Sequence, residues 1–118
     1  GQRICLRSLG KIMHTVAIRK SLLAENPCIP RSVYKAFCDA KDLAIAELQV
    51  PQASKVTLPW LMAEYAATAE IINGDIWPYG FAANRTVIEA MISRSQNDGL
   101  LARTLSADEL FVTDLLDT

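Results

Sequence analysis

The sequence contains no run of basic or acidic residues. Twelve lysines and arginines stand against thirteen aspartates and glutamates, and the formal net charge is -1. Proteins that bind DNA, RNA or anionic lipid through surface charge usually carry a basic patch or stripe. We therefore expect no nucleic-acid partner.

Long apolar runs are missing as well. Charged residues interrupt the apolar stretches well before the roughly 20 residues that a membrane-spanning helix needs. No charged leader with a small-residue cleavage site precedes them. The sequence therefore predicts a soluble protein without a membrane partner.

Cysteine and histidine are too few and too scattered to suggest a metal site or a disulfide framework. Cys5, Cys28 and Cys38 form no CxxC pair, their number is odd, and His14 is the sole histidine. This pattern favours reduced thiols in a cytoplasmic protein and predicts no bound metal. The sequence also has no phosphate-binding loop and no Ser/His/Asp ordering, so kinase and hydrolase functions have no support.

What the sequence does contain is a high apolar content with helical periodicity. Its 118 residues are 51% hydrophobic, which suits one globular domain with a core. Apolar residues recur at steps of three and four over residues 30–49 and 58–72, and again from about Asn84 to the turn signal at 97–99, which predicts three helices. We also expect a short helix or turn at residues 21–27 and a short terminal helix at 106–111.

The stretch "KIMHTVAIR", residues 11–19, is the only convincing strand. Ile12, Val16 and Ile18 share one parity, with His14 between them on the same face. A single strand leaves its backbone donors and acceptors without sheet partners. The chain is therefore interpreted as a piece of a larger α/β protein, with two alternatives: two copies share a sheet as a homo-oligomer, or the piece rearranges.

The stretch "DIWPYGFAANR", residues 75–85, is a shaped turn that carries aromatic side chains. Pro78 fixes one backbone torsion, and Gly80 can adopt conformations that are closed to other residues. The rings of Trp77, Tyr79 and Phe81 need cover. The core of the domain, a missing part of the protein or a ligand could supply it.

Seven segments, in order, resemble the C-terminal part of 4,5-dihydroxyphthalate decarboxylases: "IMHTVAIRK", "ENP", "YKAFCDAKDLA", "TLPWL", "GDIWPYGFAANR", "GL" and "DELF". The resemblance runs from Ile12 to Phe111, and "WPYG" followed by "NR" is its most specific element. It implies an α/β fold class, namely a fragment of a two-lobed periplasmic-binding-protein-like (type 2) fold, mostly helical here with one main strand. Residues 1–10 match nothing in the family, and residues 11–118 would form the C-terminal portion of the domain.

The resemblance implies a function in aromatic compound catabolism. The full-length protein would decarboxylate 4,5-dihydroxyphthalate, or a related aromatic acid, to protocatechuate without a redox cofactor, and the fragment alone would be inactive. Its partner would be a small aromatic carboxylate. One alternative is a non-catalytic solute-binding module for such an acid, and another is that the isolated chain has no function of its own.

Five residues are candidates for the site. Decarboxylation of an arene needs a proton donor, cations or N–H donors for the remaining carboxylate, and an apolar wall. His14 is the catalytic candidate because histidine can donate or accept a proton near neutrality. It would be the acid that protonates the ring or a hydrogen-bond donor to a substrate oxygen, although a lone histidine in an apolar pattern is often a core residue. Trp77 and Tyr79 would wall the aromatic ring, unless they only anchor packing.

Asn84 and Arg85 complete the candidate set as substrate-binding residues. A guanidinium can hold a carboxylate at two points, and the N–H groups at a helix start also favour anions. The alternative is that Asn84 caps the helix and Arg85 is a solvated surface residue.

Overall fold

The structure, a computed structural model, describes residues 14–50, 58–72 and 74–118. These ranges contain four α-helices followed by two short 3-10 helices. The α-helices are α1 (Lys20–Glu25), α2 (Ile29–Leu48), α3 (Leu61–Ile72) and α4 (Phe81–Asn97), and the 3-10 helices are Ala107–Leu110 and Thr113–Leu115. No helix in these ranges combines the length and apolar character that a membrane crossing requires.

The helices predicted from periodicity are confirmed. Helix α2 places Pro30 in its first turn, where the missing N–H breaks no helical hydrogen bond. Helix α4 ends before Gly99, which takes a positive φ of 71° and so suits a helix stop. It begins at Phe81, three residues earlier than expected, so Asn84 lies inside the first turn and is not the N-cap.

The prediction of an α/β fold with one main strand is wrong. Residues 11–13 lie outside the described residues, and residues 14–19 have no regular secondary structure. The backbone of Arg19 is still extended, with φ -62° and ψ 135°. Since strand propensity is realised only when a neighbouring strand accepts the ladder hydrogen bonds, the β-branched residues of this segment form no sheet within the part of the chain described.

The core lies between α4 and the C-terminal segment. Its buried members within the described ranges are Phe81, Ile88, Ile92 and Ala107, and partly buried leucines and Phe111 pack around them. The rings of Phe81 and Phe111 lie 5.2 Å apart at a tilt of 53°, a favourable arrangement for two aromatic rings. One face of α4 is thereby fixed against the residues that follow it.

Thr118 fastens the end of the described chain to the start of α4. The backbone N–H of Phe81 donates to Thr118 Oγ1 at 3.2 Å, and the N–H of Ala82 donates to the Thr118 carbonyl oxygen. These contacts satisfy two donors that the first turn of a helix otherwise leaves unpaired. Gly80 allows this approach, because a Cβ at that position would lie 2.6 Å from the carbonyl carbon of Thr118.

Apolar side chains on α2 and near α3 remain uncovered by the described residues. Leu43, Trp60 and Ile71 are among the exposed large side chains, with Trp60 at 73% exposure. The helices therefore spread around a small core, and α2 offers an open face to the turn that precedes α4.

Candidate functional site

The aromatic turn, residues 75–80, is held by side chains at both ends. At its start, Asp75 Oδ1 accepts the backbone N–H of Trp77 at 2.9 Å, an aspartate-based turn. At its end, Asn84 Nδ2 donates to the carbonyl oxygens of Pro78 and Gly80, both at 2.8 Å. Asn84 is 9% exposed. Its amide is therefore part of the structure that shapes the turn.

Lys41 joins the aromatic turn to α2. Its Nζ donates to Asp75 Oδ2 at 2.5 Å and to the carbonyl oxygen of Trp77 at 3.1 Å. The same ammonium lies 4.8 Å from the centre of the Tyr79 ring, within the range of a cation–π contact. Since the Lys41 side chain is only 14% exposed, this is a largely sheltered charge.

The environment of Lys41 favours its charged form. Burial lowers the pKa of the ammonium, but the hydrogen bond and the charge of Asp75 more than offset this, so its pKa is raised above the ordinary lysine value. Lys41 is therefore a cation throughout the physiological pH range.

An open groove of about 300 Å³ lies between α2 and the aromatic turn. This volume is at the lower end of the range for small-molecule sites. Helix α2 contributes one face, at steps of three and four residues, and the turn contributes two rings. The lining residues are Phe37, Ala40, Lys41, Ala44, Ile45, Leu48, Trp77 and Tyr79. The walls are apolar, and Lys41 is the one charged residue among them.

The structure brings two of the five predicted site residues into this groove. Trp77 and Tyr79 line it, and both are more than a third exposed, at 53% and 41%. Asn84 lies at the end of the turn and outside the lining. Both rings therefore line one groove, and their role in binding a substrate stays a prediction.

The structure places Arg85 apart from the groove. It pairs with Asp108 and, at 3.3 Å, with Glu89, and its guanidinium lies 4.8 Å from the centre of the Phe81 ring. The hydrogen bond to Asp108 raises the pKa of Arg85, although partial desolvation opposes the shift. In this arrangement Arg85 ties α4 to the first 3-10 helix.

His14 also lies outside the groove lining. It is exposed in the irregular segment before α1, and its side chain makes no hydrogen bond to another described residue. The described residues include no cluster of three or more His, Cys, Asp and Glu side chains suited to a metal ion. The groove lining, with its apolar walls and the Lys41 cation, suits a flat ring that carries a negative group. Proton delivery from His14 to such a ring would need residues 14–19 to lie over the groove.

Lys41 and Asp75 are not among the site residues predicted from the sequence. A signal for Lys41 was present, because it lies four residues after Phe37 and three before Ala44, on the apolar face of α2. A charge on such a face needs a partner when it becomes buried. No comparable signal marks Asp75, which is 34 residues away in the chain.

An apolar groove with aromatic walls and a single cation has the features of a site for a small molecule. Comparison with known proteins indicates which kind of protein carries it. A 4,5-dihydroxyphthalate decarboxylase from Comamonas testosteroni is 37% identical to this chain over 105 residues, which is 89% of the chain and 32% of that enzyme. No protein-family model matches the chain. The chain is thus related to a carboxy-lyase and spans about a third of its length.

Proposed function

We propose that this chain takes part in the non-oxidative decarboxylation of 4,5-dihydroxyphthalate, or of a related aromatic acid, to protocatechuate and CO2. The relation to the Comamonas testosteroni decarboxylase over 105 residues carries the proposal. The described residues would contribute a ring-binding groove, and the activity would require a polypeptide of about the length of that enzyme.

The chemistry explains what the groove and His14 would contribute. Direct loss of CO2 from an arene leaves an electron pair in the ring plane, which no ring substituent delocalises. Protonation of the ring carbon first, with electron donation from the para hydroxyl, allows the C–C bond to break while the electron pair returns to the ring. Trp77 and Tyr79 would hold the ring flat and exclude water, and His14 would deliver the proton.

A chimera tests this function without further knowledge of the surrounding sequence. The 105 matching residues of the Comamonas testosteroni decarboxylase would be replaced by those of this chain, and CO2 release from 4,5-dihydroxyphthalate would be measured. We expect a folded chimera that releases CO2. A chimera that folds as well as the parent enzyme but is inactive would contradict the proposal.

A variant of the same chimera tests the role of His14. His14→Gln should lower kcat by roughly a hundredfold or more, the usual contribution of a general acid. Arg19→Gln, in the same exposed segment, is the matched control and should retain activity. Equal rates for the two variants would remove His14 from the chemistry.

The alternative function is a non-catalytic binding module for a small aromatic acid. The position of His14 outside the groove lining favours it. CO2 release by the folded chimera distinguishes the two functions. A binding module would bind the acid in the groove, but the chimera would release no CO2.

A further inference from the structure

We propose that Lys41 is the anion-binding residue of the groove and that Asp75 is its displaceable counter-ion. In this arrangement the carboxylate of a planar aromatic acid takes the place of Asp75 on Nζ, and its ring lies against Trp77 and Tyr79. The choice of an aromatic acid as the ligand rests on the function proposed above, whereas the role of Lys41 rests on geometry.

The position of Lys41 is the first argument. It is the one charged residue in a lining that is otherwise apolar or aromatic. Its ammonium lies 4.8 Å from the centre of the Tyr79 ring. A carboxylate bound to Nζ would therefore bring the attached ring beside the aromatic wall. A neutral ring would gain only the apolar contacts, so the groove should distinguish acids from their uncharged analogues.

The hydrogen-bonding capacity of Lys41 is the second argument. A lysine ammonium has three N–H donors. Among the described residues, its acceptors are Asp75 Oδ2 and the carbonyl oxygen of Trp77. One N–H is left for a ligand oxygen before any existing bond breaks, and a second becomes available when Asp75 leaves.

The state of Asp75 is the third argument. Its side chain is 43% exposed, so its carboxylate can return to water without being stranded in an apolar environment. The other oxygen, Oδ1, accepts the N–H of Trp77 at 2.9 Å and can keep the turn closed while Oδ2 gives up Lys41. The sheltered Lys41 ammonium keeps an anionic partner in either state, and a bound aromatic acid adds the burial of its ring to that charge contact.

The state of Arg85 strengthens the choice of Lys41. Arg85 lies outside the groove lining and is engaged by two carboxylates, Asp108 and Glu89. Recruiting it for a ligand would require both partners to separate from it and the side chain to move to another surface.

Tryptophan fluorescence can report binding in the groove. The chain has two tryptophans, Trp60 and Trp77, and Trp60 is 73% exposed in the residues before α3. A Trp60→Phe background leaves Trp77 as the sole emitter. Titration with 4,5-dihydroxyphthalate and with catechol, which has the same hydroxyls and no carboxylate, then compares an acid with its neutral analogue.

The substitution Lys41→Met in this background removes the charge and keeps an unbranched side chain. We expect it to weaken 4,5-dihydroxyphthalate binding by roughly tenfold to a hundredfold, the range for a hydrogen bond to a charged group, and to change catechol binding less than about twofold. The matched control is Lys35→Met, on the same helix, where the lysine pairs with Asp39 at 2.6 Å and is not part of the lining. Equal weakening by both lysine variants, or equal affinity of the unsubstituted groove for acid and catechol, would overturn the proposal.

A second variant keeps the proposal testable if Lys41→Met does not fold. Asp75→Asn retains Oδ1 as an acceptor for Trp77 and removes the charge that competes for Lys41. We expect it to bind 4,5-dihydroxyphthalate severalfold more tightly than the unsubstituted groove. Weaker or unchanged binding would refute displacement of Asp75, and no quenching by either compound would refute the site itself.

The outcome is separable from that of the proposed function. CO2 release by the chimera tests the reaction, while fluorescence of the 118-residue chain tests the groove. An active chimera whose rate is unaffected by Lys41→Met would sustain the decarboxylase function and refute the role of Lys41. Acid-selective binding that depends on Lys41, together with an inactive chimera, would support the role of Lys41 and refute the decarboxylase function.

Discussion

Replacement of Asn84 by alanine should loosen the aromatic turn and destabilise the protein measurably. The amide of Asn84 is 9% exposed and donates to the carbonyl oxygens of Pro78 and Gly80, both at 2.8 Å. Each hydrogen bond contributes about 1 kcal/mol net, and a buried acceptor that loses its donor adds a desolvation penalty. We expect the free energy of unfolding to fall by about 2–3 kcal/mol.

Urea unfolding followed by circular dichroism would measure this change, with Asn97→Ala as the matched control. Asn97 is the exposed last residue of α4, so its truncation should change stability by less than about 0.5 kcal/mol. The emission of Trp77 should also shift to the red in Asn84→Ala, because a loosened turn admits more water to the ring. Equal stabilities of the two alanine variants would refute the reasoning.

Asn84→Asp gives the same argument a pH dependence. An ionised carboxylate would face two carbonyl oxygens and has no proton to donate, so this variant should be less stable than Asn84→Ala at neutral pH. These contacts raise the pKa of the new carboxyl group in the folded state. The variant therefore keeps its stability at pH values below the unfolded-state pKa and loses it as the pH rises through the folded-state pKa. The variant should therefore regain stability on acidification towards about pH 4, and a penalty independent of pH would count against the contacts described.

Two further predictions concern the close approach at Gly80 and the charge of Lys41. Gly80→Ala should destabilise the protein by roughly 1–3 kcal/mol in thermal unfolding, because φ is 105° and a Cβ would meet the carbonyl carbon of Thr118. Gly74→Ala, at φ 148° with open space around it, should destabilise the protein less. A larger loss of stability in Gly74→Ala than in Gly80→Ala would exclude the contact with Thr118. The raised pKa of Lys41 predicts that the difference in unfolding free energy between the unsubstituted protein and Lys41→Met is steady from about pH 6 to about pH 9. When folding raises the pKa of a lysine, the charged form stabilises the protein fully at pH values below the unfolded-state pKa. The difference in unfolding free energy should therefore shrink as the pH rises above 10.5, the ordinary pKa of lysine. A constant difference through that range would disprove the link to Asp75.

The sequence was sufficient for the helices because their hydrogen bonds are local. The periodicity of α2 and the stop signal at Gly99 act within a few residues of the backbone that they determine. The strand prediction was wrong over residues 14–19 for the complementary reason. A ladder of hydrogen bonds depends on a partner strand elsewhere, and β-branched residues such as Val16 cannot provide one.

The candidate site also combines features that the local sequence predicts with features that depend on distant segments. The composition of the turn indicated that Trp77 and Tyr79 lie on a shaped, non-helical segment, which the structure confirms. Tertiary structure alone determined that Lys41 forms an ion pair with Asp75, 34 residues away, and that Arg85 forms one with Asp108, 23 residues away. Periodicity places a charge on one face of a helix, but only the approach of another segment determines whether that charge faces a groove or a partner, because the pairing energy depends on a distance that no local pattern encodes.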